Sequence, residues 1–344
     1  MPAVVRTGRG TLVAFAEARA GTSDTGDIVV VAKRSTDGGR TWGKPAVVAG
    51  DGTGVQGNPC PVVDPRTGRL VLLTCGNAAH ATESAIMAGH VAAADGRRVW
   101  VRHSDDDGRT FGAPRDITAD AKLPHWRWYA TGPGHAVALT RGPHRGRLVA
   151  AANHSTRPRP GTSDTGTEPR YYGGHCLLSD DGGTTWRVGF TDDTPDGKVN
   201  ANESACAQLP DGRLYFNARN QNGTAPAVRV DAVSADGGRT LLRAYAPQPA
   251  LSGPVVEGSL LQPGTGPLLF AGPRDPSRRA AMAIRTSRDG GRTWTTALTL
   301  STAPAGYSDL VEVSATTVGL LYETGTTAPS DTITFTRIPL PALA

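Results

Sequence analysis

The stretch SRDGGRTW, residues 287–294, occurs with small changes five times in the chain. The other copies start at Ser35, Ser104, Ser179 and Ser234 and share the pattern Ser-x-Asp-x-Gly-x-Thr followed by Trp, Phe or Leu. We call this pattern the Asp box. Its aspartate can accept hydrogen bonds from downstream amides, and its glycine tolerates the positive φ of a tight turn. We expect the final aromatic residue to plug the space between neighbouring sheets. A turn repeated every 50–75 residues or so indicates a radial or stacked array.

A second repeat precedes each Asp box. Glycine-bearing turns lead into apolar strands at six places, namely residues 7–12, 64–70, 142–148, 210–214, 263–268 and 314–320. The order of hairpin, strand and box recurs along the chain, and the last hairpin alone has no box. Each unit then holds about four antiparallel strands. The sequence therefore predicts an all-β fold, a six-bladed β-propeller of four-stranded antiparallel blades with five Asp-box turns, as one domain over residues 1–344.

Composition narrows the classes of function. The 43 Gly and 26 Pro residues, without a long amphipathic pattern, are typical of short strands joined by turns. The net charge of +5 would attract an anionic substrate, but the basic residues are scattered, so we expect no nucleic-acid partner. We expect a monomer that does not enter a membrane. The four cysteines, Cys60, Cys75, Cys176 and Cys206, lack metal-ligand spacing, and their disulfide state stays open.

The predicted topology sorts the loops into two faces. Hairpin turns and Asp boxes share one end of the blades, and the long irregular loops share the other. Those loops carry the candidate site residues, namely Arg19, Asp24, Asn58, Trp126, Trp128, Glu203, Arg219, Arg279, Tyr307 and Glu323. Convergent arginines suit a carboxylate held by two hydrogen bonds, and a glutamate beside a tyrosine supplies a base for a phenol. The tryptophans would form a wall for an apolar group or a sugar face.

Each of these residues has an ordinary alternative role. An exposed arginine is most often a solvated surface charge, Glu203 could cap a loop, and Tyr307 could pack in the core. The acidic run at residues 105–108 does not fit a calcium loop, because Arg109 and Thr110 would occupy the ligand and glycine positions. We therefore expect no metal. The prediction of a site rests on the joint arrangement.

The whole chain resembles the bacterial-type exo-sialidases (neuraminidases), whose propellers carry Asp boxes. The more specific similarities lie in the segments around the candidate residues: FAEAR at 15–19 with SDTGD at 23–27, NES at 202–204, NARN at 217–220, RAAM at 279–282, YSDL at 307–310 and GLLYE at 319–323. Asp boxes alone say little about function, because other glycosidases and binding proteins have them.

The resemblance implies a retaining exo-alpha-sialidase that acts on terminal sialic acid through a tyrosyl-enzyme intermediate. Tyr307 is then the nucleophile, Glu203 its partner and Asp24 the acid/base. Arg219 and Arg279 would hold the substrate carboxylate, with Arg278 as the less favoured register. Arg19 would contact the far side of the sugar ring, and Glu323 would steady a further arginine. The implied partner is a sialylated glycan, and no cofactor is needed.

One family motif is incomplete. The family begins its first blade with Arg-Ile-Pro-Ala, whereas this chain begins Met1-Pro2-Ala3, so the position of the first arginine falls before residue 1. We expect the extreme N-terminus to be missing, and with it any secretion signal, since none is encoded here. The compartment stays open, with secretion expected for a truncated chain. Two other functions remain: a sialic-acid-binding propeller without turnover, and another Asp-box glycosidase in which Tyr307 has no role.

Overall fold

The fold is a β-propeller arrangement of small antiparallel sheets, seen in a computed structural model that describes residues 1–222, 227–264 and 266–343. The described strands form five hydrogen-bonded sheets. The described residues include two short α-helices, α1 at Glu83–Ala88 and α2 at Thr118–Ala121, and two 3₁₀ turns at Pro169–Tyr171 and Leu340–Leu343. No helix within the described residues is long and apolar enough to cross a membrane. The predicted all-β class is confirmed.

The first sheet contains the strands of the first two repeat units. Unit 1 consists of β1 (Pro2–Arg6), β2 (Leu12–Arg19), β3 (Ile28–Ser35) and β4 (Ala46–Ala49). Unit 2 consists of β5 (Gly54–Val63), β6 (Leu70–Ala78), β7 (Arg98–Ser104) and β8 (Arg115–Asp116). Within each unit the strands pair antiparallel, and one parallel pair, Ile28 with Val55, joins the two units into an eight-stranded sheet.

The remaining sheets each correspond to one further repeat unit. Unit 3 consists of β9 (Trp126–Thr131), β10 (Val137–Ala138), β11 (Leu148–Thr156), β12 (Tyr172–Ser179) and β13 (Arg187–Asp193). Unit 4 consists of β14 (Ala201–Gln208), β15 (Leu214–Asn220), β16 (Ala227–Ser234) and β17 (Arg243–Gly253). Unit 5 consists of β18 (Ser259–Leu261), β19 (Leu268–Pro273), β20 (Met282–Ser287) and β21 (Thr295–Thr299). Unit 6 consists of β22 (Ala305–Ser314), β23 (Thr317–Thr324) and β24 (Thr332–Pro339).

The described sheets, of eight, five, four, four and three strands, do not form the six separate four-stranded blades predicted from the sequence, so the blade count stays a prediction. The first two units share one sheet because β3 and β5 approach closely enough to bridge. Unit 3 has five strands because two short strands, β9 and β10, take the place of a single first strand, and both pair with β11. Unit 6 has three described strands. The six hairpins are present as antiparallel pairs, from β1–β2 to β22–β23, and the fifth connection includes Thr265, which lies outside the described residues.

Hydrophobic clusters lie between successive units. One cluster joins Leu73 of unit 2 to Ala150 of unit 3, and the next joins Val149 of unit 3 to Phe216 of unit 4. The last joins Val311 of unit 6 to Val4 of unit 1, so the two ends of the chain pack together. Some strands that pack between neighbouring units are buried along their whole length; every residue of β12 and of β14 is buried. Continuous burial of this kind explains why these strands lack a polar alternation.

The Asp boxes are turns closed by their own side chains. In the copy at 287–294, Asp289 Oδ1 accepts hydrogen bonds from Ser287 Oγ (2.8 Å) and the amide of Thr293 (2.9 Å), while Thr293 Oγ1 donates to Oδ2 (2.6 Å). Slight burial raises the pKa of Asp289, but these donors outweigh it and lower the pKa to about 2. The aspartates of the other copies, Asp37, Asp106, Asp181 and Asp236, bond in the same way.

Each box packs against the preceding unit. Asp107 accepts hydrogen bonds from Thr7 and Thr11 in the first hairpin, and the carbonyl of Gly237 accepts one from Arg147 beside the third. The first box packs on the last unit, where Gly39 faces the ring of Phe335. Boxes and hairpins therefore occupy the same face of the propeller. None of the five box aspartates lines the cavity described below, so the predicted sorting of faces is confirmed.

Trp294 is a plug between two sheets, as predicted. It is 8% exposed, and its ring lies 6.0 Å from that of Tyr215 in unit 4 and 6.1 Å from that of Phe270 in unit 5. The second glycine of the same box, Gly291, has φ of 90° and lies so close to Tyr215 that an added Cβ would be 2.2 Å from the ring. The turn therefore needs glycine both for its backbone angle and for its space.

Replacing Trp294 with alanine is expected to lower the free energy of unfolding by about 3–5 kcal/mol, because a buried indole is lost and a cavity remains. Chemical denaturation of the purified variant measures this loss. Leu242→Ala is the matched control, since that side chain is 66% exposed and should change stability by less than about 0.5 kcal/mol. Equal stability of the two variants would contradict the plug.

Candidate active site

A cavity of about 680 Å³ opens on the face opposite the Asp boxes. Its walls come from loops and strand ends of several units. Nine of the ten residues predicted from the sequence line it: Arg19, Asp24, Asn58, Trp128, Glu203, Arg219, Arg279, Tyr307 and Glu323. The tenth, Trp126, does not. The described residues hold no group of three or more His, Cys, Asp and Glu placed to bind a metal.

Tyr307 and Glu203 form a close buried pair at the floor of the cavity. The Tyr307 hydroxyl lies 2.7 Å from Glu203 Oε1 and 2.9 Å from Oε2, and both residues are buried. Burial, together with the Glu203 carboxylate, raises the pKa of Tyr307 well above its usual value, although Arg219 opposes this shift. The phenol is therefore neutral at neutral pH, with a carboxylate in place to accept its proton.

β-bulges aim these side chains into the cavity. In β22 the pairing with β23 shifts register between Ala305 and Ser308, so Tyr307 stands out of the regular ladder. In β14 a similar shift lies between Ala201 and Ser204, around Glu203. A third, in β5 between Gly57 and Cys60, contains Asn58, whose φ is 52°. Bulges bend the strand and redirect a side chain, and here they bring polar groups from three units to one place.

Two arginines approach the Tyr307–Glu203 pair. Arg219, near the end of β15, donates through Nη1 to Glu203 Oε2 (2.7 Å) and to the Tyr307 hydroxyl (3.2 Å). The guanidinium of Arg279 lies 5.8 Å from the centre of the Tyr307 ring, and its Nη2 donates to the Val255 carbonyl (3.1 Å). Arg278 is exposed and pairs with Asp275 instead, so Arg279 is the arginine of this segment that reaches the cavity.

Asp24 and Arg19 lie at the rim. The Asp24 side chain is 84% exposed on the loop after β2, and its carboxylate pairs with Nη1 of Arg19. Arg19 Nη2 also donates to Glu17 Oε2 at 2.6 Å. Burial lowers the pKa of Arg19, but the carboxylates of Glu17 and Asp24 raise it by more than burial lowers it. The net pKa is raised, so Arg19 stays positively charged. The loop thus presents a solvent-accessible carboxylate beside a fixed cation.

Trp128 and Trp126 occupy different environments. Trp128 lines the cavity, with the guanidinium of Arg97 4.3 Å above its ring. Trp126 is buried in the core, where its ring stacks on His154 at 3.8 Å between centroids. The prediction that Trp126 contacts substrate is therefore wrong. The register shift between β9 and β11 at this point turns its side chain away from the cavity, which alternation along the strand would not reveal.

Asn58 and Glu323 hold neighbouring parts of the site. The side-chain oxygen of Asn58, Oδ1, accepts a hydrogen bond from Arg97 Nη2, and the backbone amide of Asn58 donates to Glu17 Oε1 at 2.8 Å. Glu323 Oε2 accepts from the amide of Tyr307 at 3.1 Å, and its Oε1 accepts from the Met1 amino group at 2.9 Å. Both polar residues thus bind protein groups that border the cavity.

Three charged lining residues were missed by the sequence analysis: Glu17, Glu83 and Arg97. Glu17 lies two residues before Arg19 on β2, so strand alternation could have placed the two on one face. Glu83 begins α1 and makes no hydrogen bond or ion pair with the residues that the structure describes. The Glu83 residue is exposed, but the surrounding protein partly desolvates its carboxyl group, which raises the pKa of Glu83; Arg97 opposes this shift and Glu203 adds to it. No local motif marks Glu83 or Arg97.

The fold and the convergent polar cavity agree with the comparisons. The chain matches the model of the BNR repeat-like domain over residues 10–320, and it belongs to this family. A sialidase of Micromonospora viridifaciens is 30% identical over 95% of this chain and 50% of the relative. An exo-alpha-sialidase of Aspergillus fumigatus is 30% identical over 84% of this chain and 67% of the relative.

A solved structure gives the same result. The Hadza microbial sialidase Hz136 superposes with a TM-score of 0.83 at 27% identity, covering 100% of this chain and 66% of that chain. The resemblance to sialidases predicted from the sequence is confirmed. The chain spans between half and about two thirds of the length of these relatives, 50% to 67%.

Proposed function

We propose that the protein is a retaining exo-alpha-sialidase, a glycoside hydrolase that releases terminal sialic acid from glycans. The observation that carries this proposal is the buried Tyr307–Glu203 pair with Arg219 and Arg279 beside it. A glycosidase that uses two carboxylates has no need of a tyrosine bonded to a glutamate, and sialidases with a tyrosine nucleophile are a known exception to that scheme.

Charge explains the choice of nucleophile. The anomeric carbon of a sialic acid carries a carboxylate, which repels an anionic nucleophile. Neutral Tyr307 attacks without this repulsion, and its proton passes to Glu203 as the new bond forms. The bond from the anomeric carbon to the glycan oxygen breaks, and Asp24 in its protonated form gives its proton to the departing oxygen and becomes a carboxylate. Asp24 then takes a proton from water, whose oxygen displaces Tyr307, and the Tyr307 oxygen recovers its proton from Glu203, which restores the starting state with retained configuration.

The arginines supply recognition of the substrate. A guanidinium fork matches a carboxylate with two parallel hydrogen bonds. Arg219 and Arg279 reach the cavity from units 4 and 5 on the side of Tyr307, and Arg19 reaches it from unit 1 beside Asp24. The substrate carboxylate binds the first two, and the sugar ring extends towards Arg19 and Trp128.

A fluorogenic α-sialoside tests the proposal. Purified protein should release the fluorescent alcohol in proportion to enzyme concentration. A sialic-acid-binding propeller would bind the sugar, measured by calorimetry, without release. Another type of Asp-box glycosidase would act on uncharged aryl glycosides and would be insensitive to Tyr307. Either outcome would reject the sialidase function.

Exchanging Arg279 for lysine is expected to raise KM for a sialoside by about tenfold to hundredfold, because a bidentate charge-assisted pair worth about 1.5–3 kcal/mol is lost. Arg278→Lys is the matched control, since Arg278 is exposed and pairs with Asp275. Steady-state kinetics on both variants decides the matter. The same KM in both would show that Arg279 does not hold the carboxylate.

The proposed domain is one propeller of six blades with five Asp boxes. The eight-stranded sheet counts as two blades, because it consists of two antiparallel four-stranded units joined by one parallel pair. Six hydrophobic clusters in the described residues, one at each junction between successive units, support the same count.

A further inference from the structure

We infer that Glu257, a buried carboxyl group beneath the cavity, is a positioning residue that fixes Tyr307 against Glu203. Glu257 precedes β18 and is 2% exposed, and it does not line the cavity. It therefore acts through the protein backbone and not on the substrate. This inference rests on the proposed function.

The backbone around Tyr307 is held by side chains. Because of the bulge in β22, the pairs with β23 pass from Ala305 directly to Ser308. The amide of Tyr307 donates to Glu323 Oε2 at 3.1 Å, and the next amide, of Ser308, donates to Glu257 Oε2 at 3.0 Å. The carboxyl groups of Glu323 and Glu257 thus accept hydrogen bonds from two consecutive backbone amides, those of Tyr307 and Ser308. The position of the Tyr307 hydroxyl depends on both hydrogen bonds.

Glu257 and Ser259 act together along the inner edge of β22. Ser259 Oγ accepts from the amide of Leu310 at 3.0 Å and donates to Asp309 Oδ1 at 2.8 Å. The amides of Ser308 and Leu310, two residues apart on one edge, are thus both bound by the segment at 257–259. This segment replaces the neighbouring strand that would otherwise fix β22 on that edge.

The surroundings of Glu257 raise the pKa of its carboxyl group. The charged groups that face it are Arg229 from β16, Asp309 from β22 and Glu203 from β14, with His135 bound to Asp309 at 2.7 Å. Burial raises the pKa of Glu257 well above its usual value, the Ser308 amide and Arg229 oppose the shift, and Asp309 and Glu203 add to it. Glu257 is therefore less readily ionised than an exposed glutamate.

Further buried polar groups lie around Glu257. Glu257 Oε1, Arg229 Nη2 and Asn217 Nδ2 are buried and lack a hydrogen-bond partner among the described protein atoms. Arg229 itself donates to the Val256 carbonyl at 2.6 Å, directly before Glu257. The layer beneath Tyr307 is therefore polar and interconnected, and Glu257 is its contact with the nucleophile strand.

The test compares Glu257→Leu, Glu257→Gln and the control Glu312→Leu on a fluorogenic α-sialoside. Glu312 also lies on β22 but on the Asp-box side, where its Oε2 accepts from the Gly264 amide at 3.4 Å. Glu257→Leu should lower kcat about tenfold to hundredfold with little change in KM, because a small displacement of a reacting group costs this much. Glu257→Gln should restore most of kcat, since its amide oxygen can accept from Ser308. Glu312→Leu should match the wild type.

A folded Glu257→Leu with wild-type kcat, or a Glu257→Gln as slow as Glu257→Leu, overturns the inference. If Glu257→Leu does not fold, Glu257→Asp takes its place, because withdrawing the acid by one methylene should produce the same loss confined to kcat. If the wild type does not hydrolyse sialosides, the proposed function fails. The inference is then judged by the distance from the Tyr307 hydroxyl to Glu203 in a crystal structure of Glu257→Leu, where lengthening supports it and no change rejects it.

Discussion

Tyr307→Phe is expected to reduce kcat on a sialoside by about a hundredfold or more while leaving the fold intact, because covalent catalysis loses its nucleophile. The phenylalanine ring fills the same buried space. Glu203 keeps its hydrogen bond to Arg219 at 2.7 Å, so no charge is left unpaired in the floor of the cavity. Steady-state kinetics and a melting temperature measure the two effects separately.

The matched control for that variant is Tyr322→Phe. Tyr322 belongs to the same sheet, on β23, and packs in a hydrophobic cluster. Loss of its hydroxyl should not change kcat. Near-normal turnover in Tyr307→Phe would end the sialidase proposal, whatever the control shows.

A loss that depends on the leaving group is expected for Asp24→Asn. With a glycan as leaving group, removal of the general acid should lower kcat/KM by about 10²–10⁴-fold, and with an acidic aryl alcohol, which leaves without protonation, by less than about tenfold. The physical reason is that protonation helps most when the departing oxygen is strongly basic. Kinetics on a sialyl-lactose and on an aryl sialoside provide the comparison.

Asp27→Asn is the control for Asp24. Asp27 is an exposed carboxylate three residues further along the same loop and does not line the cavity. It should leave both substrates unaffected. An equal loss on both substrates in Asp24→Asn would assign Asp24 to binding and not to proton transfer.

Much of the fold was predictable from the sequence because the chain repeats local features. The Asp box needs only its own eight residues to form its hydrogen bonds, so five copies could be placed without tertiary information. The hairpins are equally local. The joining of the first two units into one sheet was not predictable, since it depends on direct pairing of Ile28 in β3 with Val55 in β5, although β4 lies between these strands in the sequence.

The candidate site was likewise predictable from the sequence only in part. Tyr307, Glu203 and Arg219 lie in segments with recognisable motifs, and the structure brings them together. Trp126 was misplaced because a register shift against β11 reverses the side of the strand on which it lies. Glu83, Arg97 and Glu257 were missed because their surroundings come from other units, and a single sequence gives no sign of such contacts. The role proposed for Glu257 depends on burial and on neighbouring groups, which only the fold defines.

The stereochemistry of the first product tests the central claim most directly. Proton NMR during hydrolysis of an α-sialoside by the wild-type protein resolves the two anomers of free sialic acid before they equilibrate. A covalent intermediate on Tyr307 requires two inversions, so the α-anomer should appear first and the β-anomer should grow later by mutarotation. Initial formation of the β-anomer would show a single displacement by water and would contradict the proposed role of Tyr307.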